Sequence, residues 1–161
     1  MQALRIYRAW QFDSMEKSLD IAERLLTTIS DDTIYSKRDG GDGWTISEVL
    51  GHLIETEALF LERAKLTMTE DNPDLPFGDP DQTVKDGDYA SKSAVDVLAQ
   101  WRTVRAEFLT YLKAIPADEE NTWERPAQHP NRGAFSLNDQ VMLAGWHDTN
   151  HLEQVVKIIN Q

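Results

Sequence analysis

SLNDQVMLAGWHDTNHLEQVVKIIN, Ser136 to Asn160, decides the fold. Ser136 is a good N-cap residue and Asp139 stands at the reciprocal capping position three residues on. Leu137, Val141, Ala144, Leu152, Val155 and Ile159 then recur at the three- and four-residue spacing of one helical face. His147 and His151 lie one turn apart inside that apolar sector, so both imidazoles point toward whatever the helix packs on.

Three more helices are predicted from the rest of the chain. The first spans about Gln2 to Ile29, with Leu4, Tyr7, Phe12, Met15, Leu19, Ala22, Leu25 and Leu26 inward. The second starts at Thr45, where Glu48 completes a capping box and Trp44 and Val49 have staple spacing, and runs to about Leu66. The third spans Ser93 to Ala114, with Val95, Leu98, Trp101, Val104, Phe108, Leu109 and Leu112 inward, and Ile115-Pro116 stops it. The segments 69–90 and 117–134 read as irregular, and no strand is evident. The first holds seven acids and one lysine. The expectation is a single all-α four-helix-bundle domain covering residues 1–161.

His52 borders the inner face of the second helix, beside Val49, Thr56 and Leu59. A lone inward histidine is ordinarily a core residue hydrogen-bonded to a neighbour. Three on two helices, in a chain with no cysteine, leave several ring nitrogens to satisfy. A shared metal ion satisfies one nitrogen of each. His52 lies about 10 Å down its helix, and His151 and His147 roughly 14 and 20 Å from the end of theirs. The rings share a level if the second and fourth helices run antiparallel. The second and third must then run parallel, and the long acidic segment between them suffices for that crossover.

Composition excludes several functions. Sixteen Lys+Arg against 28 Asp+Glu leave a net charge of −12, which disfavours nucleic acid and anionic membranes as partners. The absence of cysteine removes disulfides, thiolate ligands and a cysteine nucleophile, and fits the cytoplasm. The N-terminal MQALRIYRAW does not read as a signal peptide. The longest uncharged apolar run, Val141 to Trp146, is far short of the ~20 residues that cross a membrane.

Two segments carry a family resemblance. Gly43 to Leu53, GWTISEVLGHL, and Gly145 to Gln154, GWHDTNHLEQ, resemble the ligand segments of the DinB-like superfamily, including the Gln three residues after the last His. The resemblance implies an up-down-down-up four-helix bundle with a long crossover between its second and third helices. It also implies a divalent ion, nickel or zinc, held by His52, His147 and His151 with open positions for water. A homodimer is implied too, and so is chemistry on a small-molecule substrate, with a low-molecular-weight thiol as co-substrate in the characterised transferases and isomerases. Either hydrolysis or thiol transfer is chemically available to such an ion. The competing expectation is a non-catalytic metal- or small-molecule-binding protein of the same fold.

Other motifs fit less well. His147-Asp148 departs from the His-Glu-x-x-His of zinc proteases, and the Glu-x-x-His pairs of di-iron bundles are missing. The acidic segment lacks the order of a calcium loop. Glu48 and Glu55, one turn before and after His52, and Asp148 are the candidate acid/base groups. Gln154 and Asn150 could bond the far nitrogen of a ligand. Trp44 reads as the staple, or else as part of the pocket wall. Arg63, on His52's side of the helix, reads as paired with a neighbouring Glu, or else with a substrate carboxylate. His129, in a Pro-rich loop, reads as solvated, or else as a lid over the metal mouth. The wide apolar sector of the second helix, Leu50, Ile54 and Leu61, can be buried by the first helix or by a second subunit.

Overall fold

The computed structural model describes residues 2–161. Four long helices form the bundle: α1 (Gln2–Thr27), α2 (Ile46–Thr69), α4 (Ala94–Lys113) and α6 (Leu137–Ile159). Both predicted capping boxes are present, Thr45 with Glu48 on α2 and Ser136 with Asp139 on α6. Cross-helix contacts fix the directions. Ser47 bonds the Lys92 carbonyl and Trp101 bonds Glu57, so α2 and α4 run parallel. Arg102 pairs with Glu23 and Lys113 with Glu16, so α1 and α4 run antiparallel. His52 meets His147 while Gln140 meets Thr67, so α2 and α6 run antiparallel. This is the up-down-down-up course.

The irregular segments hold more structure than their sequence suggests. In the crossover, α3 (Pro80–Asp86) is capped by the Asp79 carboxylate, with Pro80 in the first turn. A short α5 (Glu120–Trp123) follows α4. A two-residue antiparallel pair, β1 (Gln128–His129) and β2 (Gly133–Ala134), precedes α6. These pieces are too short to show periodicity in sequence. Among the described residues no helix is long and apolar enough to cross a membrane.

Most predicted inward positions are buried, with two informative exceptions. Val95 is exposed and Val97 takes its place in the core. Tyr7 is exposed while its neighbour Arg8 is buried, stacked on Trp123 and bonded to Glu120, Asn138 and the Ala117 carbonyl. Leu50, Ile54 and Leu61 are buried within the chain itself, and α2 packs most extensively on α4 rather than on α1.

The core divides into two large apolar clusters, with a small third of Leu75, Ala127 and Phe135 under the loops. One gathers Val49, Leu53, Trp101 and Val155; the other Phe60, Phe108, Leu112 and Val141. Between them, at the level where α2 carries Glu57, α4 Arg105 and α6 Asp148, lies a polar layer. Arg105 donates to Glu57, to both oxygens of Asp148 (2.8 and 2.9 Å) and to the Met15 carbonyl of α1. All three side chains are at most 3% exposed. Replacing Arg105 with Ala leaves two buried carboxylates uncompensated. The expected loss of stability is about 3–5 kcal/mol, measured by urea unfolding.

Candidate metal centre

The two capping boxes set where α2 and α6 begin, and the antiparallel course brings their histidines to one level. The Nε2 atom of His147 lies 3.0 Å from that of His52 and 3.2 Å from that of His151. Nitrogens sharing one ion at ~2.0–2.1 Å must stand about 2.9–3.4 Å apart, for angles between a right angle and the tetrahedral value. Both His147 separations fit that requirement, and one ligand atom from each of the three rings lies within 4.8 Å of the others.

Protonation strengthens the fit. Gln154 Oε1 lies 2.8 Å from His151 Nδ1 and can only accept, so Nδ1 carries the proton and Nε2 presents a lone pair. His147 Nε2 can donate a proton to one neighbour at most. The remaining contact is then left without a proton between its two nitrogens, and a cation shared by the lone pairs of all three rings relieves it. Burial pushes His52 down to about 3, with the His151 charge adding to it. Burial, then the His151, His52 and Arg105 charges, push His147 down to about 2. His151 is also lowered by burial, against the opposing pull of Gln154 and Asp148. All three are neutral at neutral pH, the form a metal ion needs.

Neighbouring rings hold the imidazoles. Trp44 lies 4.8 Å from His52 and 6.3 Å from His151 between centroids, so it walls the site as well as entering α2. Phe60 meets His147 edge-on at 6.0 Å. Gly51 is required by contact. Tyr89 lies flat on the α2 backbone there, and a Cβ would come within 2.2 Å of its ring. The Tyr89 hydroxyl then donates to Glu55 at 2.6 Å.

A cavity of about 750 Å³ opens beside His52 and His147. Its walls come from α2 (Glu55, Leu59, Phe60, Arg63), the crossover (Pro76, Phe77), the β1–β2 turn (His129, Asn131, Arg132) and α6 (Leu143, Trp146). The three candidate acid/base groups part company here. Glu48 is spent on the Thr45 cap and on Arg38. Asp148 faces Arg105 rather than the cavity. Glu55 lines the cavity, one turn from His52, and its Oε2 has no partner among the described residues.

Several secondary expectations need correcting. His129 is 4% exposed, not solvated, because the Phe77 and Phe135 rings pack against it at 5.8 and 5.2 Å. Arg63 is buried without a glutamate partner, and its Nε and Nη2 both donate to the Pro76 carbonyl. Asn150 bonds the Trp146 carbonyl and leaves the ligand-orienting bond to Gln154. Arg105 and Glu57 were not singled out. Their signal was a charged residue on an apolar stripe, Arg105 between Trp101 and Phe108, and Glu57 between Ile54 and Phe60.

The DinB superfamily model matches residues 14–155. This chain belongs to the DinB superfamily. A protein of Oceanobacillus iheyensis whose proposed activity is metal-dependent hydrolysis is 27% identical over 86% of this chain and 80% of its own length. YfiT of Bacillus subtilis, described as having an unusual four-helix bundle topology, superposes with a TM-score of 0.82 at 18% identity. That match covers 94% of this chain and 85% of YfiT. A mycothiol-dependent maleylpyruvate isomerase superposes with a TM-score of 0.71 at 9% identity, over 92% of this chain but only 60% of the isomerase. These two structures establish the shared fold.

The buried histidines link stability to pH. Unfolded, each titrates near 6.5; folded, His52 and His147 titrate at about 3 and 2. Below pH 6.5 the unfolded chain therefore binds more protons, and stability falls with falling pH toward those lower values. Glu57, pushed by burial up to about 7, opposes this between 4.5 and 7. Urea unfolding of the metal-free protein at pH 7, 6 and 5 isolates the histidine part by comparison with His147→Gln. The wild type is expected to lose more stability on acidification than the variant, by up to about 1.4 kcal/mol per pH unit.

Proposed function

We propose that this protein is a cytoplasmic metal-dependent hydrolase of small-molecule substrates, with one divalent ion held by His52, His147 and His151. The observation that carries this reading is the convergence of the three imidazoles, with His147 Nε2 3.0 and 3.2 Å from the other two and one ligand atom of each ring within 4.8 Å of the others. The hydrolase naming of the Oceanobacillus relative supports it. An all-imidazole donor set suits zinc or nickel. Such an ion, when bound, polarises a substrate oxygen and lowers the pKa of water.

The chain's own residues supply the rest. Gln154 holds the His151 ring so that its lone pair faces the centre. The Asp148 carboxylate acts on His151 and favours positive charge on that side of the cluster. Glu55 borders the open side beside His52, with Tyr89 holding one oxygen and the other available to accept a proton. Leu59, Phe60 and Leu143 keep that wall apolar and limit water.

Elemental analysis and calorimetry on untagged protein test the reading. One ion per chain is expected. Ala at His52, His147 or His151 should abolish tight binding, and Gln154→Leu should weaken it about 10- to 100-fold. Glu55→Gln should retain the ion but lose about 100-fold or more in turnover of simple esters. Tight binding without chelator-sensitive turnover would favour the non-catalytic alternative.

A second reading replaces water by a low-molecular-weight thiol, as in a transferase. The cavity volume favours it, since about 750 Å³ leaves room for two reactants. Rate dependence on added thiol separates the two. We also propose a homodimer. Its structural support is the apolar stripe of Ile6, Tyr7 and Trp10 exposed on α1. Sedimentation at micromolar concentration should give twice the chain mass, and Trp10→Glu should give a monomer.

A further inference from the structure

The cavity has a second polar region away from the histidines, and it is built almost wholly of donors. Arg63 is 3% exposed, yet among the described residues it has no carboxylate within ion-pair reach. Pro76 takes the Nε/Nη2 edge of its guanidinium, so the Nη1/Nη2 edge retains two N–H groups without a partner. A carboxylate fits that edge with two parallel bonds. Arg132, at the rim, makes no side-chain hydrogen bond or ion pair among the described residues, and its charge acts on Arg63. His129 Nδ1 accepts from the Asn131 backbone N–H at 3.1 Å, so Nε2 carries the proton and is a donor.

Two acids border the same cavity. Glu55 is bonded to Tyr89; Glu62 is exposed, and its charge acts on Arg63 without a hydrogen bond or ion pair to it. A buried guanidinium with no directly bonded carboxylate is poorly compensated. In a chain of net charge −12, two arginines and a histidine donor around one cavity stand against the overall field.

Resting on the metal-dependent reading, the geometry points to a substrate that carries a carboxylate. The carboxylate sits on Arg63 and Arg132, with His129 donating from Nε2, while the reacting bond lies at the histidines. The spacing between the two ends is short. The Arg63 guanidinium carbon lies 5.8 Å from the Phe60 ring centroid, and the His147 ring lies 6.0 Å from it on its own approach. The two ends are thus at most about twice that step apart. Phe60, Leu59 and Leu143 form an apolar wall between them, so the spacer is a short aliphatic chain or a single ring.

The test uses full-length protein, as purified and again after chelation, titrated calorimetrically with hexanoate and with hexanamide. Hexanoate should bind at least tenfold more tightly than the amide in both samples. Arg132→Ala, at an exposed position with no structural bonds, should erase that preference, as should Arg63→Met. Lys157→Ala removes the same charge from a distant surface pair with Glu153 and should leave the preference intact. Equal binding of acid and amide would overturn the proposal, and so would an equal loss in Lys157→Ala and Arg132→Ala. Because the arginine effect is read in chelated protein too, failure of the metal reading would leave this result standing, and the reverse.

Discussion

A single guanidinium, that of Arg105, touches all four long helices. It stands on α4, donates to Glu57 of α2 and Asp148 of α6, and reaches the Met15 carbonyl of α1. Two carboxylates share this one cation, and burial raises both above their ordinary range. Such a layer adds little net stability compared with apolar packing; what it fixes is register. Glu57 lies little more than one turn beyond His52, and Asp148 is the residue next to His147. Holding the two carboxylates on one guanidinium therefore holds the histidines of opposite helices at one height. A slip of α6 by one turn would break the Arg105 bonds and separate the imidazoles together.

The topology also builds the cavity. Parallel neighbours α2 and α4 oblige the chain to return along the bundle between them. That return passes the mouth of the histidine site and leaves Pro76, Phe77 and α3 there. The turn between β1 and β2 adds the opposite wall, and the Leu75 N–H to Gln128 carbonyl bond joins the two segments at 2.8 Å. A simple up-and-down bundle with short loops would leave the same three histidines open to solvent.

Much of this was legible in the sequence because it rests on local rules. The capping residues Thr45 and Ser136 mark helix starts, and the depth of His52 against that of His147 and His151 requires the antiparallel pairing. What was not legible depends on partners distant in the chain. Arg105 and Glu57 look like misplaced charges until Asp148 is brought beside them. His129 looks solvated until Phe77 and Phe135 close on it. Helix α3 had a local signal in Asp79-Pro80, but its single buried residue, Val84, gives no periodicity to read.

Arg8 bonds Asn138 across 130 residues of sequence, and α1 packs chiefly on α6. During synthesis, α1 is made before its main partner and waits until α6 has left the ribosome. The same helix carries two of the three imidazoles. Vectorial folding therefore stops short of both the closed bundle and the histidine cluster until α6 is released. The nascent chain thus displays an amphipathic α1 for as long as α6 is unmade, and brings its three imidazoles together only once α6 is available.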